Sequence, residues 1–387
     1  MRSSVIANAT VAALVGFGGT VALIIEAAHR LNASPEQLIS WVAGVCFAEL
    51  VAGVLLSVWL RLPIVIAWST PGAALIAAAP SGLDMHQGAA AFLLAAGLIV
   101  LTAIIRPLTK LIEAIPPALG AAMLAGVLLH FILLAVASVQ TQSLLVLCIL
   151  AAFLVGRLVT PTLAAIEALI VGVALSFGLH LAGPMPEVFE LSRLTYIEPH
   201  FDAASLIGLG VPLYLVTMAS QNLPGAAVLR TMGYAPPMTP ILGITGLTSM
   251  VAALFGAHTV NLAAITAALC TGPDTHPDSE KRWPAGVIFA LWFGVFAVFA
   301  APLIGILTAM PVELIRVIAG LALIGALSGA LTSALAKEQD RFAAMATFAV
   351  SASGITLAGI GAPFWALLLG LGVLGLDRLK ANFAKAA

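Results

Sequence analysis

Two polar clusters interrupt apolar stretches at corresponding places in the two halves of the chain, 189 positions apart. The first comprises Ser69, Thr70, Pro71 and Gly72, and the second comprises His258, Thr259, Val260 and Asn261. Ser and Thr are good N-caps, and Pro is favoured at the first position of a helix. The N–H groups at a helix start lack partners and attract anions. The clusters therefore predict two opposed helix starts, near Thr70 and near Thr259, around a shared site for a carboxylate.

Side-chain amides form a third candidate group for the same site. Gln221 and Asn222 follow Ser220 at the end of an apolar stretch and precede Pro224-Gly225. Amides supply both donors and acceptors of hydrogen bonds, and nothing else in that stretch explains burying two of them. Cross-helix hydrogen bonding is the alternative role.

Two titratable residues in apolar stretches are candidates for carrying a proton. His258 is the first choice, because an imidazole changes charge near neutral pH. Glu49 is the second choice, because an acid inside a membrane span costs about 2.5–3.5 kcal/mol and is a functional candidate by default. A packed core histidine and a neutral or paired structural acid are the alternative interpretations. Between Asp202 and Asp274 there is no acidic residue, which fits an anionic substrate.

The composition places these candidates in a membrane. Of the 387 residues, 61% are hydrophobic and 9% are charged, against about 25% charged in soluble domains. The net charge of −1 gives no sign of a nucleic-acid partner. The three cysteines lie in apolar runs without metal-ligand spacing, and no nucleophile–base pair or nucleotide loop is recognisable. We therefore expect an all-α polytopic membrane protein that needs no metal or cofactor and is not an enzyme.

Fourteen apolar segments are recognisable along the chain. They cover residues 5–28, 36–60, 63–80, 86–105, 116–136, 142–157, 161–182, 203–222, 238–254, 256–271, 284–303, 311–332, 342–358 and 362–379. The third and tenth are short for a helical crossing and contain the two clusters, so each is predicted to combine a short extended stretch with a half-helix. With both termini in the cytoplasm, all but three of the 16 Lys and Arg residues fall on the cytoplasmic side or tail.

The two halves are predicted to be inverted repeats. Pro117 and Pro311 are each followed by a glycine nine residues later, and Pro107-Leu108 matches Pro302-Leu303. Seven spans per half is an odd number, so the second half must enter the membrane from the opposite side. The predicted units are a first repeat at 1–182, an external linker at 183–202 and an inverted second repeat at 203–387.

Three motifs resemble those of the benzoate/proton symporter family. They are Ala67-Trp68-Ser69-Thr70-Pro71-Gly72-Ala73, Ala219-Ser220-Gln221-Asn222-Leu223-Pro224-Gly225, and Phe255-Gly256-Ala257-His258-Thr259-Val260-Asn261-Leu262-Ala263-Ala264-Ile265. The resemblance runs across nearly the whole chain. It implies import of benzoate or a similar aromatic carboxylate with protons across a bacterial-type inner membrane. It also implies kinship with the seven-plus-seven fold of uracil and anion transporters.

The resemblance also implies a division of labour between spans. Spans 1–4 and 8–11 would form a core domain (about 1–106 and 203–303), and spans 5–7 and 12–14 a gate domain (about 107–182 and 304–387). The core would move against the gate, with the substrate between spans 3, 8 and 10. We expect the carboxylate on residues 69–72 and 259–261 with the two amides, and the ring on Trp68 or Phe17. Relatives of this fold often dimerise through the gate domains, so a homodimer is one expected assembly.

The chain departs from uracil transporters, which use carboxylates on spans 8 and 10, where Gln221, Asn222 and His258 stand here. Two other functions remain compatible with the sequence. One is a nucleobase/proton symporter of the same fold, for which uracil or xanthine would compete. The other is an uncoupled organic-anion channel or exchanger, which would not accumulate its substrate under a proton gradient.

Overall fold

Helices form nearly all of the structure, a computed structural model that describes residues 2–105, 116–185, 190–263, 265–357 and 360–386. The first half contains α1 (Ser3–Arg30), α2 (Pro35–Leu60), β1 (Ile66–Trp68), α3 (Thr70–Ala77), α4 (Met85–Ile104), α5 (Pro117–Ala137), α6 (Ser143–Val159) and α7 (Ala164–Gly178). The second half contains α8 (Ala203–Arg230), α9 (Met238–Ala253), β2 (Val260–Leu262), α10 (Ile265–Thr271), α11 (Trp283–Val298), α12 (Ala300–Thr308), α13 (Val312–Ala334), α14 (Arg341–Ala352), β3 (Thr356–Leu357), β4 (Ile360–Gly361) and α15 (Ala362–Ala386).

Seven of the described helices are long and apolar enough to cross a membrane, namely α1, α2, α4, α8 and α13, together with α5 and α11 when each is taken with its adjoining 3-10 turn (Pro117–Gln140 and Ser279–Val298). Helices α6, α7 and α9 and the first part of α15 are shorter apolar helices. Every predicted apolar segment overlaps a described helix or a strand–helix segment. The chain is therefore a helical polytopic membrane protein. The count of fourteen crossings and the inverted repeat stay predictions.

Capping residues fix where α2 and α4 begin. The Ser34 side chain accepts a hydrogen bond from the Gln37 N–H, and the Gln37 side chain accepts one from the Ser34 N–H. Asp84 and Gln87 make the same reciprocal pair at the start of α4. Such capping boxes satisfy two of the N–H groups that a helix start leaves free. Polar residues between apolar runs thus set the ends of these helices.

Two extended stretches lie side by side where the third and tenth apolar segments were predicted to break. Strands β1 and β2 pair antiparallel, with Ala67 opposite Asn261. Beyond the strands, the Ser69 N–H donates to the Thr259 carbonyl at 3.0 Å. Backbone polar groups inside an apolar layer need such partners, because no water is there to replace them. The strand pair is therefore how two non-helical segments can exist in the middle of this bundle.

The first half-helix begins as predicted and the second does not. Helix α3 starts at Thr70, with Ser69 as its N-cap. Thr259 instead precedes β2, and α10 begins only after that strand, so the predicted helix start near Thr259 is wrong. The β-branched Val260 follows Thr259 where Pro71 follows Thr70. A β-branched residue favours a strand, whereas proline favours the first turn of a helix.

Glycines mark the closest approaches between packed helices. Helix α13 packs along α5, and α5 also packs against α14. A Cβ on Gly320 would lie 2.4 Å from the Ala135 Cβ, and one on Gly126 would lie 2.5 Å from the Ser351 Cβ. Small residues allow such contact between membrane helices. The glycines at the repeated Pro-to-Gly spacing thus each lie at a close helix contact, Gly320 against α5 and Gly126 against α14.

The predicted external linker contains no described helix and is held to the bundle by backbone hydrogen bonds. The Ile197 N–H donates to the Leu254 carbonyl at 2.8 Å, and the His200 N–H donates to the His86 carbonyl at 3.0 Å. Linker residues 186–189 lie outside the described residues. The same is true of Pro107-Leu108, the predicted domain boundary at 106–107, and Ala264.

Candidate functional site

A cavity of about 680 Å³ lies beside the strand pair, within the usual range for small-molecule sites of roughly 300–1,000 Å³. Its walls come from α1, β1, the start of α3, α5, α7, α8, α10, α11, α13 and α15. The polar and aromatic residues in the wall are Thr20, Trp68, Thr70, Ser220, Gln221, Thr266, Phe293 and Ser333. None of the described lining residues carries a formal charge. A ligand here would be held by dipoles, hydrogen bonds and apolar contact.

The start of α3 offers the cavity one backbone donor and one hydroxyl. The Ser69 side chain accepts from the Gly72 N–H at 3.0 Å, and the Ser69 carbonyl accepts from the Ala73 N–H at 2.7 Å. Pro71 has no N–H. Of the first four helix residues, only Thr70 can therefore offer its N–H to a ligand, and Thr70 lines the cavity.

Gly72 is required by this N-cap. A Cβ there would lie 2.7 Å from the Ser69 Oγ and 2.7 Å from the Leu213 Cδ1. A side chain would displace the capping hydroxyl or the neighbouring helix α8. Gly72 thus shapes the site from behind the wall, without lining the cavity itself.

A buried hydroxyl of α8 joins the two broken segments. The Thr217 hydroxyl donates to the Ser69 Oγ at 3.2 Å and shares a hydrogen bond of 2.9 Å with the Thr259 hydroxyl. All three residues are fully buried. The predicted proximity of the two clusters is therefore present, and Thr259 contributes to it by bracing Ser69.

His258 lies behind the cavity wall, and both of its ring nitrogens are occupied. The Trp41 indole N–H donates to Nδ1 at 2.9 Å, and Nε2 lies 3.2 Å from the Ser69 carbonyl oxygen. An indole N–H can only donate and a carbonyl can only accept, so these partners assign the neutral tautomer with its proton on Nε2. His258 is fully buried and absent from the cavity wall.

In the second cluster, where residues 259–261 were expected to bind a carboxylate, the Val260 N–H is engaged elsewhere, as is the N–H of the neighbouring Leu262. The Val260 N–H donates to the Ser249 hydroxyl at 3.0 Å, and the Leu262 N–H donates to the Asn222 Oδ1 at 3.1 Å. Both bonds satisfy N–H groups on the edge of β2 that faces away from β1. The residues of β2 and Asn222 are buried and do not line the cavity. The structure therefore does not bring this cluster to the cavity.

Asn261 keeps one unpaired group. Its Nδ2 donates to the Leu262 carbonyl at 3.1 Å, whereas its Oδ1 has no hydrogen-bond partner among the described residues. Asn261 stands opposite Ala67 in the ladder, and Ala67 lines the cavity. Asn261 is therefore next to a residue of the cavity wall but does not line the cavity itself.

The two amides of α8 separate into different roles. Gln221 and Ser220 line the cavity, whereas Asn222 turns away to cap β2. The two amides lie in a π-helical turn at Met218–Asn222, and such turns are common at functional sites. Gly225 follows, where a Cβ would lie 2.6 Å from the Leu262 Cβ. Asn222 and Gly225 thus allow α8 to pack closely on β2, and the Gln221 amide is left to face the cavity.

Aromatic rings form one side of the cavity. The Trp68 indole N–H donates to the Thr20 hydroxyl at 3.0 Å, which fixes the ring in the wall. Phe17 packs edge-on against Trp68 with ring centres 5.7 Å apart, but Phe17 does not line the cavity. Phe293 of α11 contacts Trp68 at the same centre distance, 5.7 Å, and does line it. Phe293 therefore takes the place that the sequence analysis gave to Phe17.

Glu49 lies on the other side of β1. It is fully buried, and neither carboxyl oxygen has a hydrogen-bond partner among the described residues. The carboxyl lies beside the backbone N–H of Trp68, outside the geometry of a formed hydrogen bond. Glu49 is absent from the cavity wall and separated from it by the strand.

One wall of the cavity, formed by α13, was not predicted from the sequence. This helix presents six small residues to the cavity, namely Ala322, Gly325, Ala326, Gly329, Ala330 and Ser333. A Cβ on Gly325 or Gly329 would meet nothing within 4 Å. The spacing of four residues from Gly325 to Gly329 to Ser333 places small residues on one helix face, and this spacing was the available signal.

Comparison with known proteins gives matches along nearly the entire chain. The profile of the BenE family, described as benzoate membrane transport protein, matches residues 1–376. "Inner membrane protein YdcO" from Escherichia coli strain K12 is 39% identical over 359 residues, which cover 93% of this chain and 92% of that protein. A "Benzoate membrane transport protein" from Acinetobacter baylyi is 35% identical over 360 residues, which cover 93% of this chain and 91% of that protein.

Solved structures with the same architecture include SLC26A9 and BicA. SLC26A9 superposes with a TM-score of 0.67 at 14% identity, covering 97% of this chain and 66% of that longer one. The transmembrane domain of the cyanobacterial bicarbonate transporter BicA superposes with a TM-score of 0.63 at 13% identity, covering 96% of this chain and 98% of that domain. At such identities the likeness shows the fold alone, which is that of these transporter domains.

Proposed function

Because the chain belongs to the BenE family of benzoate membrane transport proteins, a family of transporters and not of enzymes, we propose that it imports benzoate or a similar aromatic carboxylate together with protons. The observation that carries this proposal is the cavity. Its described wall combines aromatic rings with hydroxyl and amide donors and contains no charged side chain. A monoanion with an apolar ring matches that combination.

The carboxylate binds at the start of α3 in this proposal. Thr70 offers its backbone N–H and its hydroxyl, and Ser220 and Gln221 offer a hydroxyl and an amide from the facing helix α8. The positive end of α3 adds an attraction of about 0.3–1 kcal/mol, or up to about 2 when partly buried. The aromatic ring lies against Trp68 and Phe293. Residues 259–261, Asn222 and Phe17 support this site from behind.

Transport proceeds by alternating access. The cavity lies between α1, β1 and α8 on one side and α5 and α13 on the other, which supports movement of a core domain (about 1–106 and 203–303) against a gate domain (about 107–182 and 304–387). The protein resides in a bacterial inner membrane with both termini in the cytoplasm, as the distribution of basic residues favours. A homodimer through the gate domains is the proposed assembly.

Counterflow of labelled benzoate in proteoliposomes tests the substrate. Gln221→Ala should weaken the apparent affinity about 10–100-fold, because a hydrogen bond to a charged group contributes about 1.5–3 kcal/mol. Gln140→Ala, at an exposed glutamine outside the cavity, is the matched control and should leave the affinity unchanged.

Three results would overturn parts of the proposal. Competition by uracil but not by benzoate would identify a nucleobase symporter. Benzoate exchange without accumulation under a pH gradient would identify an uncoupled exchanger or channel. Equal effects of Gln221→Ala and Gln140→Ala would remove Gln221 from the site.

A further inference from the structure

A carboxyl group without a balancing charge lies directly behind the strand that forms the cavity wall. Glu49, on α2, has an exposed fraction of 0%, and both of its oxygens lack hydrogen-bond partners among the described residues. Its carboxyl lies beside the backbone N–H of Trp68. The same residue, Trp68, lines the cavity on the other side. One residue of β1, Trp68, therefore lies beside both the Glu49 carboxyl and the proposed position of the substrate.

No described Lys, Arg or His forms an ion pair with Glu49, and the histidine in contact with α2, His258, is bonded to Trp41 and to the Ser69 carbonyl. Helix α2 packs against α11, α9, α12, α1 and the two strands. Helices α9, α11 and α12 and both strands contain no Asp, Glu, His, Cys, Tyr, Lys or Arg. On α1 the titratable residues are Glu26, His29 and Arg30, all at its far end, and Glu26 lies 3.7 Å from Arg316. Cys46 is the titratable neighbour on α2 itself.

An ionised carboxylate in such a place is costly, and the neutral acid is not. A second negative charge on the far side of β1 would raise that cost further, because two like charges in an apolar region repel strongly. Binding of an anionic substrate and ionisation of Glu49 are therefore mutually unfavourable. The substrate binds best when Glu49 holds a proton.

We infer that Glu49 is the proton-binding residue of the proposed symport, coupled to the substrate across β1 through Trp68. This inference rests on the proposed function. The proton comes from water on the loading side and adds to a Glu49 oxygen when the carboxylate substrate enters, and it passes from that oxygen to water on the opposite side after the substrate has been released. His258 is a positioning residue, because a second proton on its ring would have to displace the bond from Trp41.

The assignment fixes how much charge crosses the membrane. The loaded protein carries neutral Glu49 and one substrate anion, and the empty protein carries ionised Glu49. Both forms hold the same charge, so one proton and one monoanion cross together without net charge movement. A membrane potential set with potassium and valinomycin should therefore leave the steady-state accumulation ratio of benzoate unchanged.

Glu49→Gln in proteoliposomes tests the coupling, because glutamine keeps the shape of a permanently neutral acid. The variant should accumulate no benzoate above equilibrium under a pH gradient. Its counterflow should continue and lose its dependence on pH between pH 6 and 8.5. Glu167→Gln is the matched control, since Glu167 is hydrogen-bonded to Thr160 away from the strands, and it should accumulate benzoate as the wild type does. Accumulation by Glu49→Gln at the wild-type level would overturn the inference.

Proton uptake on binding keeps the inference testable if that variant does not fold. Calorimetry of benzoate binding to purified wild-type protein, in buffers of different ionisation enthalpy, should report close to one proton taken up per benzoate at a pH where the empty protein is ionised. Glu49→Asp should shift the pH range over which uptake occurs. Benzoate binding without proton uptake at any pH from 5 to 9, or an unshifted Asp variant, would overturn the inference. Failure of the wild type to bind benzoate would instead overturn the proposed function.

Discussion

The indole N–H of Trp41 donates a hydrogen bond to Nδ1 of His258 at 2.9 Å, and both side chains have an exposed fraction of 0%. The bond orients the imidazole so that Nε2 faces the carbonyl of Ser69, the N-cap of α3. Three elements, α2, the segment before β2 and the segment before α3, are thereby held together. His258 belongs to the frame that positions Thr70.

Trp41→Phe should destabilise the protein, because it leaves a buried imidazole nitrogen without a donor. We expect a loss of about 1–3 kcal/mol in the free energy of unfolding, measured by thermal unfolding in detergent. Trp59→Phe is the control on the same helix, at a tryptophan that is 65% exposed, and should change little. Equal effects of the two substitutions would contradict a structural role for the Trp41–His258 bond.

Gly225→Ala should separate α8 from β2. The added Cβ would lie 2.6 Å from the Leu262 Cβ and 2.9 Å from the Ala263 carbonyl oxygen, and backbone atoms cannot move aside as a flexible side chain can. Overpacking of this kind costs about 1–3 kcal/mol, and benzoate counterflow should fall with it.

Gly243→Ala is the control for that substitution, because a Cβ on this helical glycine meets nothing within 4 Å. It should gain roughly 0.5–1 kcal/mol from helix propensity. A stable, active Gly225→Ala protein would show that the contact between α8 and β2 yields more easily than its geometry indicates.

Gly325→Leu should fill the cavity without disturbing the fold, since the substituted Cβ points into open space. Counterflow of larger aromatic acids, such as naphthoate, should be lost first, and the apparent affinity for benzoate should fall about tenfold or more, since overpacking costs about 1–3 kcal/mol. Gly372→Leu, at an exposed glycine of α15 that also has free space, should have no effect. Unaltered size selectivity would place the substrate elsewhere.

Asp202→Ala should remove the cap that begins α8. The Asp202 carboxylate accepts from the Ser205 N–H at 2.9 Å and from the Gln87 side chain at 3.1 Å. Partial burial raises the pKa of Asp202, but the hydrogen bonds from Ser205 and Gln87 outweigh it and hold the pKa below its ordinary value. A lowered pKa means that the stabilisation is present above the unfolded-state pKa and is lost as the pH falls through the folded-state value.

The loss should therefore be about 0.5–2 kcal/mol at pH 7 and should shrink below about pH 4, near the reference pKa of aspartate. Thermal unfolding in detergent at pH 7 and pH 3.5 measures it. Asp274→Ala, at an exposed loop aspartate, serves as the control. A difference from the wild type that stays constant with pH would contradict the role of the ionised carboxylate.

Local sequence rules predicted the first broken segment and failed for the second. Ser69 and Pro71 carry cap and first-turn signals that act within four residues, so the helix start at Thr70 follows from them. Thr259 looks similar, but its segment is decided by pairing with a strand 192 residues earlier in the chain, Val260 lying opposite Trp68. Pairing over that distance is not written in the local pattern.

The candidate site shows the same division. Trp68, Thr70 and Gln221 were expected from residue type and line the cavity. Asn222 has the same chemistry as Gln221, and only the packing of α8 against β2 shows which amide faces the cavity. Glycine and alanine are ordinary in membrane helices, so the wall formed by α13 was marked in the sequence only by the four-residue spacing of its small residues.

That wall has a consequence for selectivity and speed. From Ala322 to Ser333 no side chain that α13 turns to the cavity is longer than serine. A helix face with such short side chains can slide along a bound ring with few rotamer changes. The barrier to movement of α13 relative to the substrate is therefore small there. It also offers little shape by which to tell one cargo from another, so discrimination depends on the opposite face, at Trp68, Thr70 and Gln221.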